Sequence, residues 1–188
     1  MTGEPDRRTV LAAAGALAPA VLAPAQPQGA ESAPGLADFD FLIGRWRVRH
    51  RRLKARLDGN KEWDEFDGTS SARKILAGFG NMDENQIGVP GGAYSGVTLR
   101  LFDPARQAWT IWWMDSRHPG ALDASVTGAF KDGIGAFFGD DELRGQPIRV
   151  RYLWSRIGPA SCRWEQAFSP NAGRSWETNW VMDFTRLG

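Results

Sequence analysis

The chain carries two histidines, and each stands among residues with which an imidazole could do chemistry. His118 lies in Asp115-Ser116-Arg117-His118-Pro119-Gly120, directly after an aromatic run. A histidine in such a loop can serve as acid, base or ligand near neutral pH. Asp115 could orient it, or Asp83 could share the proton work. The competing reading is an exposed loop histidine with no task. His50 shares an alternating face with Trp46 and Val48, which favours a core histidine whose hydrogen bonds are met. Haem ligation by His50 or His118 is a third possibility. Asp83 belongs to Asn81-Met82-Asp83-Glu84-Asn85-Gln86, unusually polar for a strand. Asp83 and Asn85 share one face, Glu84 and Gln86 the other, and the sequence leaves open which looks inward. Gln166 interrupts the apolar face of Trp164 and Phe168, so it either hydrogen-bonds in the core or meets a ligand.

These residues need a scaffold, and the pattern predicts strands. From Gly44 to the end, runs of alternating polarity follow one another with turn-length connections. The predicted strands are 45–53, 63–76, 81–87, 94–103, 109–116, 124–131, 134–140, 148–156, 161–168 and 176–186. Asp132-Gly133 predicts a type I′ hairpin. No helical pattern long enough for a βαβ crossover intervenes, so a parallel sheet is excluded. A meander of about ten strands loses its edges most simply by closing. The expected fold is therefore all-β, an up-and-down antiparallel barrel. A short turn of helix over Leu36–Ile43 precedes it.

Faces follow from the alternation. Val150, Tyr152 and Trp154 should point inward, as should Trp164, Gln166 and Phe168. The last strand presents Trp176, Thr178, Trp180, Met182 and Phe184 on one face. In the fifth, Trp112 and Trp113 point opposite ways, so one lies partly outside. Candidate ligand-binding residues are Asp83, Asn85, Trp113, Asp115, Arg117, His118, Tyr152, Gln166 and Trp180.

Composition narrows the partners. A net charge of +1 gives no strong attraction to nucleic acid or anionic membranes. Arg45–Arg56 holds seven Lys/Arg, yet Glu62, Asp64, Glu65 and Asp67 follow just beyond a turn. Cross-strand pairing explains that run better than a nucleic-acid patch. The single Cys162 permits no internal disulfide and no multi-cysteine metal site. No zinc motif, dinucleotide fingerprint or Ser/His/Asp order is present.

Gly44-Arg45-Trp46, at the start of the first strand, resembles the Gly-x-Trp signature of lipocalin and calycin folds. In those folds an arginine near the end of the last strand packs over that tryptophan, and Arg186 stands in the matching place. The domain as a whole resembles an uncharacterised bacterial family of ten-stranded calycin-type barrels. Phe39–Trp46, Arg163–Ser169 and Asn171–Trp176 carry that likeness. It implies a barrel with an interior for a small molecule and brings no established reaction. Nitrobindin-like haem barrels are similar in outline, but their haem-ligand motif is not matched here.

The N-terminus reads as an export signal. Arg7-Arg8 precede an Ala-rich apolar run, and Ala23-Pro24-Ala25 offers a small-x-small cleavage site. The paired arginines resemble the twin-arginine motif, with a general secretory signal as the alternative. The expected division is a signal at 1–25, a linker at 26–35 and the barrel at 36–188. The expected protein is periplasmic or secreted, with no membrane span once the signal is removed and no indication of oligomeric state. Its expected partner is a small molecule held in an aromatic-lined interior. The alternative is a lyase, isomerase or cyclase acting there on an apolar or phenolic compound, through His118 with Asp115 or Asp83.

Overall fold

The computed structural model describes residues 33–188. The expected signal and most of the expected linker lie outside the described residues. Ten antiparallel strands run in chain order: β1 (Gly44–Leu53), β2 (Trp63–Ile75), β3 (Gly80–Ile87), β4 (Tyr94–Asp103), β5 (Ala108–Asp115), β6 (Val126–Lys131), β7 (Ile134–Leu143), β8 (Gln146–Ser155), β9 (Ser161–Ser169) and β10 (Glu177–Leu187). Each pairs with its neighbour in sequence, and β1 pairs with β10 to close the barrel. Closure pairs the two terminal strands with each other, which removes the edges an open sheet would present there. Asp132 and Gly133 both have positive φ, as a type I′ turn between β6 and β7 requires.

Alternation sets the inside. In β1, Trp46, Val48 and His50 are buried while Arg45, Arg47, Arg49 and Arg51 are exposed. In β3 the inward set is Asn81, Asp83, Asn85 and Ile87, which leaves Glu84 and Gln86 outside. In β4, Thr98, Arg100 and Phe102 are buried, whereas Val97, Leu99 and Leu101 take the outer face. Trp113 points inward and Trp112 outward.

The last strand departs from its expected face. A bulge between Thr178 and Trp180 leaves Asn179 unpaired in the ladder to β9. An extra residue shifts the alternation by one. Trp180, Met182 and Phe184 remain inward, but Trp176 is displaced to the outside. There it lies beside Phe138, with the Arg151 guanidinium 4.7 Å from its ring centroid.

One end of the barrel is shut by the segment before β1. A 3-10 turn, Asp40–Leu42, follows a run of turns and drives Phe39 and Leu42 into the core. Phe39 packs edge-on against Trp109, Phe130 and Trp154. Residues 33–35 also dock here, since the Trp109 indole donates to the Gly35 carbonyl at 3.0 Å. Burying a large apolar side chain such as Phe39 contributes about 1.5–3 kcal/mol.

Arg186 locks this end. Its guanidinium centre lies 4.1 Å from the Trp46 ring centroid, and it donates to the carbonyls of Ile43, Phe41 and Pro159. Trp46 in turn donates to the Leu42 carbonyl at 2.7 Å. Gly44 has φ +127°, and a Cβ there would lie 2.6 Å from Arg186 Nη1. The glycine, the tryptophan and the arginine thus form one unit. With that end plugged, the interior of the described residues opens at the other, where β1 finishes and β10 begins.

Candidate functional site

The barrel interior holds a space of about 500 Å³. All nine sequence-proposed ligand-binding residues line it. They do so at different depths and with different freedom to act.

The floor is polar. Asp83 and Arg100 form an ion pair at 3.3 Å with both side chains only 3% exposed. Ser70 donates to Asp83 at 3.2 Å, and Arg100 also donates to Asn81 Oδ1 at 3.0 Å. Arg100 further lies over Phe39 and Trp154, at 5.2 and 5.6 Å. Two charges removed from water are tolerable only when paired and hydrogen-bonded in this way. Three buried polar atoms around this floor nonetheless have no protein partner: Asn85 Oδ1, Arg100 Nε and Trp154 Nε1. All three residues line the space. An acceptor held by two donors, or a hydroxyl reaching Asn85, would satisfy them.

The walls are aromatic. Tyr152 meets Trp164 edge-on at 4.9 Å, and Trp164 meets Trp180 edge-on at 5.8 Å. Burial raises the Tyr152 hydroxyl well above the ordinary tyrosine range, with Asp123 and Asp141 adding to it. Trp113 lies across Gly96, where any Cβ would fall 2.2 Å from the indole ring. Gln166 is held from behind, its Nε2 donating to Asn179 Oδ1 at 2.8 Å. The bulge in β10 puts Asn179 in reach of Gln166.

At the mouth, Asp115 is fully engaged. It accepts from Arg117 Nε at 3.0 Å, from a second Arg117 nitrogen, and from Trp113 Nε1 at 3.3 Å. The Arg117 guanidinium holds its pKa down at about 2. His118 lines the opening but is exposed, and among the described residues its ring makes no hydrogen bond. The structure therefore does not assemble the expected acid–base pair. Asp115 belongs to Arg117, Asp83 is sequestered with Arg100 on the floor, and the carboxylate that faces His118 is Asp123, with no ion pair between them among the described residues.

His50 is a core residue. It is 1% exposed, stacks on Phe66 at 4.9 Å and accepts the Trp180 indole N–H at Nδ1. Burial, reinforced by nearby Arg52, pushes its pKa down to about 4. It does not line the interior space, so it does not fit as an axial haem ligand. A haem reading is left with His118 alone.

The interior also uses residues that sequence reasoning passed over. Arg100 gave a signal in its alternation with Thr98 and Phe102, but an arginine beside leucines reads as an outward residue. Arg52 and Arg56 were absorbed into the cross-strand explanation of the basic run. That explanation holds for Arg49, Arg51 and Lys54, which pair with Glu65, Asp67 and Glu62. It fails for Arg52 and Arg56, which line the mouth and form no ion pair among the described residues.

With the geometry in place, likeness to known proteins can be stated. A family described as a protein of unknown function (DUF1579) matches residues 38–128. That span runs from the plug into β6. Among solved structures, the S-type phycobiliprotein lyase CPES from Guillardia theta superposes with a TM-score of 0.52. It is 9% identical, over 80% of this chain and 90% of that one. At that identity the likeness is one of fold. Among curated proteins no sequence matches.

Proposed function

We propose that this protein is an exported, calycin-type barrel that binds one small organic molecule in its interior. The observation that carries the reading is the floor: three buried polar atoms without partners, on residues that line an aromatic-walled space. Buried polar groups in a finished core are normally satisfied. A space of this size, with an aromatic wall between a polar floor and a charged mouth, suits a ligand of drug-like dimensions. The ligand would place an uncharged acceptor or hydroxyl on the floor, because Asp83 already neutralises Arg100, and its flat body against Trp113, Trp164 and Trp180.

The test is titration with the neutral fluorophore N-phenyl-1-naphthylamine. Saturable enhancement at about one probe per chain, with matching quenching of tryptophan emission, is expected. Native mass spectrometry of protein taken from its own periplasm should then show a co-purifying small molecule. Failure of the probe to saturate would defeat the reading. Lyase chemistry is a second reading, favoured by the fold-level likeness to a phycobiliprotein lyase. It would need turnover of a bound compound that is sensitive to Tyr152→Phe or His118→Ala.

A further inference from the structure

The mouth is asymmetric in charge. One side carries Arg52 and Arg56, from the end of β1 and the loop beyond it. The other carries Asp123, Asp141 and Glu142. Asp64 faces Arg52 across the β1–β2 ladder and lines the same space, but among the described residues it closes no ion pair with it. Arg117 is balanced by Asp115, but neither Arg52 nor Arg56 has a carboxylate within ion-pair distance among the described residues. Glu177 lies near Arg56, yet its Oε1 accepts the Leu57 backbone N–H at 2.8 Å and it does not close an ion pair.

These guanidiniums are not free surface groups. Arg52 is spread over Phe66 and Trp180, at 5.5 and 5.3 Å from the ring centroids. Arg56 lies 5.8 Å from Phe168, and its Nε is buried with no partner. Behind them Tyr94 is 6% exposed, and its buried hydroxyl interacts with Arg52 and Arg117. Arg117 caps the Tyr94 ring at 3.9 Å. Burial and the like charge of Arg52 push Arg56 below the ordinary arginine range. Two stiffened cations at the entrance of the space, with the Tyr94 phenol behind them, form a site short of one negative charge. An arginine presents a planar fork of donors that matches an oxyanion.

We propose that the side of the mouth built by Arg52 and Arg56, backed by Tyr94, is an oxyanion site. The ligand is then an amphiphilic organic anion that enters apolar end first. This rests on the interior being a binding site and goes further by giving the ligand a charge and a direction. The uncharged acceptor meets the floor at Arg100 and Trp154, the ring system lies along the tryptophan wall, and a carboxylate or sulfonate stays at the rim. The acidic flank opposite repels that group and confines it to the arginine side.

The test compares two probes that share one ring system. N-phenyl-1-naphthylamine is neutral, and 1-anilinonaphthalene-8-sulfonate adds a single oxyanion. The full mature chain should bind the sulfonate more tightly by about tenfold or more, and added salt should erode that preference only. Arg52→Gln/Arg56→Gln should weaken the sulfonate by about tenfold to a hundredfold and leave the neutral probe within about twofold. Arg52→Lys, which keeps the charge, should retain part of the preference and separates charge from packing against Trp180. Saturable neutral-probe binding with no sulfonate preference, or equal loss of both probes in the double variant, would overturn the oxyanion site alone. If neither probe binds, the cavity reading falls and this proposal falls with it.

Discussion

His50 makes the pH dependence of stability predictable. In the unfolded chain its pKa returns to the ordinary histidine value of 6.5, while in the barrel it is about 4. Burial is the main cause, with Arg52 adding to it. The sign follows from linkage. As pH falls below 6.5, the unfolded state gains a proton at His50 that the folded state refuses, so stability drops until the folded pKa is reached. With one pKa unit worth about 1.36 kcal/mol, moving from about pH 7.5 to about pH 4.5 should cost about 2.5 kcal/mol through this residue alone. The assay is urea unfolding at several pH values for the natural chain and for His50→Gln, whose amide oxygen can still accept the Trp180 N–H. The other ionisable groups are common to both proteins and cancel in the difference. The expected result is a gap that changes by about 2.5 kcal/mol across the window, in favour of the variant at low pH. Parallel stability profiles, within about 0.5 kcal/mol, would refute the placement of a neutral, buried His50.

Two further outcomes follow from the same structure, and a third from the N-terminal sequence. Gly44→Ala should destabilise the barrel by about 2–4 kcal/mol in urea unfolding, because it combines backbone strain at positive φ with a clash against Arg186. Asp83→Asn should cost about 3–5 kcal/mol by leaving the Arg100 charge buried and unpaired. Replacing Arg100 as well, in Asp83→Asn/Arg100→Met, should recover part of that loss. Replacing Arg7-Arg8 with two lysines should abolish export if the twin-arginine route is used, read by fractionation. N-terminal sequencing of the exported natural chain should begin at Gln26, and an uncleaved chain retained in the cytoplasm would reject the exported reading.

Much of the fold was legible because strands of this kind announce themselves locally. A period of two, broken by Asp-Gly, Pro-Gly and Asn-Ala-Gly turns, needs no knowledge of distant contacts. The contact of Trp46 with Arg186 was legible for another reason: Gly44, Trp46 and Arg186 stand where the lipocalin and calycin signature they resemble has its glycine, tryptophan and arginine. Trp176 was misplaced because the bulge at Asn179 is a property of the β9–β10 register, and nothing in the strand itself marks it. Arg100 was missed because burying an arginine depends on Asp83, Asn81 and Phe39, which come from two other segments.

The sequence alone determined that this chain forms about ten antiparallel strands, where they turn, and which side chains alternate toward the interior. Those features depend on residue type and spacing along the chain. Tertiary structure decided which of those side chains are free to act. It committed Asp115 to Arg117 and Asp83 to Arg100, turned His50 into a core residue, and left Arg52 and Arg56 without an ion pair at the mouth. Charge compensation is a property of distances between strands, so only the closed barrel could show which charges are matched and which are not.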